Sequence, residues 1–326
     1  MSKSLGNYVA PQEIFEKHGA EVLRLWAASV EFTDDVSISD TILERLSEAY
    51  RKLRNTFRYA LGNLWDFDPA RDALPGGELL EFDQWILART AELVRACRAF
   101  YEEYAFHRVY HAAYDFATAT LSALYFDVLK DRLYTAAPRS RARRSAQTAL
   151  HRLTHALVRL LAPLLSFTTE EVWGHLPKPA GAPESVHLAL FPEPEEATAG
   201  FTAEQSRRAA NWERLLGVRN EVLKHLETAR QERLIGAPLE AQVRLRAGGS
   251  LCSLLEEYAA ELPGLFIVSQ VKVERAGGEE LAVEVRRAEG AKCERCWKYS
   301  TEVGADPGWP TICPACAAAV RDILHG

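Results

Sequence analysis

Along most of the chain, apolar residues return every three or four positions, the spacing of a helix with one buried face. Ile42, Leu46, Ala49, Leu53, Phe57, Ala60, Leu61 and Leu64 predict a long helix starting near Asp40, with Thr41 and Glu44 placed as a capping box. Its other side carries Arg51, Arg54, Asn55 and Arg58, a polar stripe that suits either solvent or an anionic partner. Pro69, Pro75 and the Gly76–Gly77 pair close this helix. A second stretch, from about Glu78 to Tyr104, turns Phe82, Trp85, Ile86, Leu93, Cys97, Phe100 and Tyr104 inward. A third runs from about Phe106 to Leu133, and a fourth from about Ser140 to Leu161, ahead of Pro163. TTEEVWGHL, residues 168–176, reads as a short capped helix. Four long amphipathic helices with short joints predict an α-helical bundle.

The pattern then changes. Residues 177–200 hold five Pro with Glu193, Glu195 and Glu196, and read as a linker. Another helix is expected from about Ala203 to Glu232, with Trp212, Leu215, Leu216, Val222, Leu223 and Leu226 on its apolar side. Beyond it QVRLR, LFIVS, VKVERA and LAVEVRR are short β-type runs, with helical SLLEEYAAEL between the first two. The fold class is therefore mainly α, with a small α+β module and a Cys-rich tail. The expected divisions are 1–39, a loop and connector; 40–177, the bundle; 178–200, the linker; 201–288, the junction module; and 289–326, the tail.

The tail carries the sharpest chemistry. Cys293 and Cys296 form one CxxC knuckle and Cys313 and Cys316 another, with sixteen residues between them. Each knuckle offers two thiolates at a bite that suits zinc, and this spacing falls in the structural-site range. Four protein ligands leave no open position, so one structural Zn2+ is expected; two disulfides or a redox pair are the alternatives. Cys97 and Cys252 lie in helical patterns and read as buried apolar residues. Arg295, Trp297, Lys298 and Tyr299 sit between the ligands. Trp297 beside a cation suits stacking of an unpaired base, or packs over the knuckle.

Composition narrows the class. The 326 residues are 48% hydrophobic and 26% charged, ordinary for globular protein. No apolar run nears the ~18 residues of a membrane span, and no secretory signal is legible. Six Cys in a chain of this length suit a reducing cytosol. Net charge is −6, yet no acidic residue lies between Asp131 and Glu170. Arg132, Arg139, Arg141, Arg143, Arg144, Arg152 and Arg159 crowd that segment with His151 and His155. The two readings are a solvated face or phosphate contact.

The chain opens MSKSLGN, small and polar around Lys3. That stretch resembles the KMSKS signature of class I aminoacyl-tRNA synthetases, entered one residue late. GAEVLRLWAASVEFTDDVSISDTILERLSEAYRKLRNTFRY resembles the stem-contact region and first anticodon-domain helix of the isoleucyl members. In the same order, LLAPLLSFTTEEVW resembles the helix end in the anticodon domains of the Ile, Val and Leu group, and the tail CERCW…CPAC the zinc module of the bacterial isoleucyl members. MSKSLGN alone also fits the valyl and leucyl members; the zinc tail favours isoleucine. The resemblance covers essentially the whole chain and implies the C-terminal part of a longer ligase. It implies that Lys3 is catalytic, stabilising charge on ATP phosphates, with Ser2 and Ser4 also binding ATP, and Mg2+ acting in the full-length enzyme. It implies tRNA(Ile) as partner, contacted by Arg51, Arg54, Asn55, Arg58, Arg295 and Trp297, in a cytoplasmic monomer. No HxGH signature and no parallel βαβ array occur in these residues. The chain alone is therefore expected to be inactive, needing the missing N-terminal catalytic and editing regions. The alternative function is a stand-alone tRNA-binding module without ligase activity, or the equivalent part of a valyl or leucyl enzyme.

Overall fold

The computed structural model describes Ser4 and residues 10–33, 35–278 and 280–325, in two compact units: 1–127 with 144–202, and 128–143 with 203–326.

The first unit is helical. α1 (Pro11–His18) opens on a proline whose missing N–H costs nothing at a helix start, and Gly19, at φ +87°, turns the chain into α2 (Ala20–Ser29). Two side chains of α2, three positions apart, hold a distant corner. The Glu21 carboxylate accepts the Phe167 and Thr168 amides at 2.7 and 2.8 Å. The Arg24 guanidinium donates to the Pro163 and Leu164 carbonyls at 2.7 and 3.2 Å. An anion thus meets the N-terminus of one helix and a cation the exit of another, each complementing its dipole.

α3 (Asp40–Asn63) buries Leu43, Leu46, Ala49, Leu53, Phe57 and Ala60. Its cap is Ser39, whose hydroxyl accepts the Ile42 amide at 3.3 Å, so the expected Thr41–Glu44 box does not form. The helix starts two residues earlier than that box requires, at Asp40 with Ser39 as its cap. A short turn, α4 (Pro69–Asp72), leads to α5 (Glu81–Glu102). Tyr104, expected inward, is 66% exposed: the chain leaves α5 at Glu102 and Tyr104 takes a left-handed φ of 56°. The third stretch is continuous but not uniform, running as α6 (Phe106–Asp115), a π-helical segment (Phe116–Tyr125) and α7 (Phe126–Thr135). α8 (Arg141–Leu161) and α9 (Ser166–His175) follow. α9 has no side-chain cap of its own, and Glu21 serves instead.

A polar knot lies inside the bundle. Asp83 is fully buried, and its carboxylate accepts Tyr125 Oη at 2.8 Å and Ser145 Oγ at 2.5 Å. Every buried charge needs such partners. The proline-rich segment expected as a linker lies along the bundle instead. Its short helix α10 (Pro194–Ala197) packs on α5, and Glu196 pairs with Arg159 at 2.5 Å.

In the second unit, α11 (Ala203–Gln231) buries Trp212, Leu215, Val218, Val222 and Leu226; Leu223 is on the solvent side. β1 (Ala241–Ala247) is the central strand of three. The chain crosses over through α12 (Gly249–Glu257) and α13 (Leu262–Phe266) to β2 (Gln270–Arg275), parallel to β1. β3 (Ala282–Arg287) then returns antiparallel on the other side. LFIVS is not a strand. Leu265 and Phe266 end α13, and Ile267 stops it in a left-handed conformation at φ 59°. The tail forms a small hairpin, β4 (Ala291–Lys292) with β5 (Tyr299–Ser300), and ends in α14 (Pro314–His325).

Candidate functional site

The four cysteines of the tail converge. Their Sγ atoms all lie within 4.8 Å of one another. Tetrahedral zinc with bonds of about 2.3 Å would set sulfurs about 3.8 Å apart, and Cys296 and Cys313 stand at 3.8 Å. Backbone geometry prepares the cage. Cys293 N–H donates to Lys298 O at 2.8 Å and Trp297 N–H to Cys293 O at 2.9 Å, closing the first knuckle. Cys313 N–H donates to Cys293 Sγ at 3.3 Å. Gly290, at φ +91°, is required at the hairpin, since a Cβ there would lie 2.3 Å from the Ser300 carbonyl. Burial raises the Cys293 thiol, but amide donors from Cys296, Cys313 and Arg295 outweigh it and bring the thiol down to about 6. Burial pushes the Cys296 and Cys316 thiols up. A soft dication is the partner that would let all four ionise together. The donor set fits one structural zinc.

Cys97 and Cys252 stand apart. Both are fully buried, and burial pushes the Cys97 thiol up to about 12.

Trp297 does not pack over the knuckle. It is 62% exposed, held at φ 65° in the first knuckle, with Lys292 Nζ 5.7 Å from its ring centroid. Trp309 packs against the cysteine cluster instead, with Val303 and Val320. Arg295 is partly committed, donating from Nη1 to the Thr135 carbonyl at 2.5 Å.

The polar stripe of α3 faces α9 across an open cleft of about 450 Å³ lined by Arg54, Asn55, Arg58, Glu171 and His175. Tyr50 Oη and Thr168 Oγ1, 2.9 Å apart, pin the two helices at one end. Arg54 is paired with Glu171 at 3.6 Å, and Arg51, outside the cleft, with Glu48 at 2.7 Å. All four side chains are roughly half exposed or more, so both pairs are weak and exchangeable for another anion. Arg58 has no ion pair among the described residues. Glu171 and His175 escaped the sequence reading, although their i, i+4 spacing on one helix was a usable signal.

The acid-free segment does less than its charge suggests. Arg143 is buried against the Leu133 carbonyl, and Arg144 lies among Asp66, Asp72 and Gln147. Arg152 donates to Ala199 O at 2.9 Å, and Arg159 pairs with Glu196. Burial holds His151 and His155 uncharged, His155 down to about 4. These groups fasten the protein to itself. Ser4 is exposed, whereas Ser2 and Lys3 lie outside the described residues.

Residues 83–245 match the family described as the anticodon-binding domain of tRNA ligase. Residues 1–39 match class I tRNA synthetases (I, L, M and V), and residues 290–319 match the zinc finger found in FPG and IleRS. An isoleucine–tRNA ligase of Symbiobacterium thermophilum is 47% identical over 99% of this chain and 35% of its own length. Those of Carboxydothermus hydrogenoformans and Thermotoga maritima are 46% and 45% identical, over 100% and 98% of this chain and 35% of each relative. The chain thus spans about a third of the length of the curated relatives it matches.

Proposed function

We propose that this chain, which belongs to the anticodon-binding family of tRNA ligases and matches the C-terminal part of isoleucine–tRNA ligases, engages tRNA(Ile) for ATP-dependent charging with isoleucine. One observation carries the reading. The synthetase match at residues 1–39, the helical bundle and the four-cysteine tail follow in a single chain that aligns over 99% of its own length with about a third of an enzyme of that name.

In this reading the cleft-lining Arg54, Asn55 and Arg58, with Arg51 beside them, meet backbone phosphates, because guanidinium forks match phosphate oxygens. Trp297 offers its exposed ring to an unstacked anticodon base. Lys3, with Ser2 and Ser4, meets the ATP phosphates, placing a cation where charge builds as pyrophosphate leaves. No described helix is long and apolar enough to cross a membrane. As part of such a ligase, the chain is proposed to act as a monomer in the cytoplasm.

The test is binding of tRNA(Ile) and tRNA(Val) transcripts to the 326-residue chain across a salt series. A preference for tRNA(Ile), with affinity falling steeply with salt, supports the reading. Equal or salt-independent binding would refute it. Without an HxGH partner for Lys3, the chain alone should show no isoleucine-dependent pyrophosphate exchange.

A further inference from the structure

We infer that Arg295 and Lys298 form a two-point clamp through which the four-cysteine knuckle holds the last turn of α7, coupling metal occupancy to the order of residues 128–135. Both contacts fall on one helical turn. Arg295 Nη1 donates to the Thr135 carbonyl at 2.5 Å, and Lys298 Nζ reaches Asp131 Oδ2 at 2.6 Å. Thr135 ends α7, so its carbonyl is one of the four left without a helical donor, and a cation there also complements the helix dipole. The Thr135 hydroxyl donates to the Asp131 carbonyl at 2.7 Å and lies 3.1 Å from Asp131 Oδ1, so both clamped residues share one turn's contacts.

The two cations belong to the metal knuckle itself. Arg295 Nη1 also lies 3.6 Å from Cys316 Sγ, and the Lys298 carbonyl receives the Cys293 amide. Whatever orders the four sulfurs therefore fixes the roots of both clamping side chains. The Lys298–Asp131 pair is 30% and 37% exposed, enough desolvation to lift it above an ordinary surface pair. By reciprocity, ordering α7's end tightens the metal as much as the metal tightens α7. Arg295 is then a positioning residue for the exposed Trp297, which sits between the two clamping side chains.

The coupling rests on the metal reading and needs no RNA, so its failure is separable from failure of the tRNA proposal. Hydrogen exchange is measured on the whole chain, zinc-loaded and after chelation. Chelation should speed exchange of the 128–135 amides several-fold while leaving those of α5 unchanged. Lys298→Met and Asp131→Asn alter side chains that bond to no cysteine ligand and leave the Lys298 carbonyl in place, so each should keep one zinc yet show fast exchange at 128–135 before chelation. Arg295→Gln should behave likewise, and Arg295→Lys should restore part of the protection. Equal protection of 128–135 with and without metal, or in wild type and loaded Lys298→Met, would overturn the clamp.

Discussion

Trp297 occupies a backbone conformation that most side chains avoid, at φ 65°, and still leaves its ring in solvent. That combination separates two effects in an experiment. Trp297→Gly removes the ring and relaxes the backbone, whereas Trp297→Ala removes the ring alone. Both should narrow the gap between tRNA(Ile) and tRNA(Val) affinities by roughly tenfold, as expected for a base stack of about 1–3 kcal/mol. A gap unchanged in both variants would exclude stacking. Arg58→Ala should instead weaken all tRNAs alike and lower the salt slope by about one unit, measured as log affinity against log salt. The sequence made Trp297 and the α3 stripe legible because both stand in local patterns. It could not tell Trp297 from Trp309, since only the folded knuckle decides which indole faces the sulfurs.

Among elements, regular period was the readable part. The helical stretches appear close to where their spacing puts them. The exceptions have physical reasons: LFIVS is apolar enough for a strand but short enough to end a helix, and the π segment widens the turn without altering composition. The basic segment misled for another reason. Its arginines turn inward to carbonyls and carboxylates more than twenty residues away for Arg144, Arg152 and Arg159, partners that no local pattern names. The Glu21–Arg24 grip on the α8–α9 corner is equally invisible, with partners about 140 positions distant. Glu21→Ala strands the Phe167 and Thr168 amides and should cost about 2 kcal/mol in urea unfolding. A loss below about 0.5 kcal/mol would show that water replaces the carboxylate.

For the molecule as a whole, metal and proton compete in the tail. Burial raises Cys296 and Cys316, so without metal both are protonated near neutral pH. Zinc binding must release those protons, and apparent affinity should fall as pH drops, roughly tenfold per unit for each proton released. Competition with a chelator between about pH 6 and 8 would show this, and a flat profile would contradict it. Chelation should also unfold the tail while the bundle, with its own core around Asp83 and Trp85, keeps its melting temperature. Two transitions by calorimetry would mark that separation.

The order β2–β1–β3 leaves two outer strands, each a potential template for a neighbouring molecule. Lys272 and Glu274 on β2, and Arg286 and Arg287 on β3, place charge on these strands. Such charges make stacking of one sheet on the edge of another costly at high concentration. This small sheet therefore carries a built-in defence against aggregation, which apolar replacements at Lys272 and Glu274 would remove without disturbing a single buried side chain.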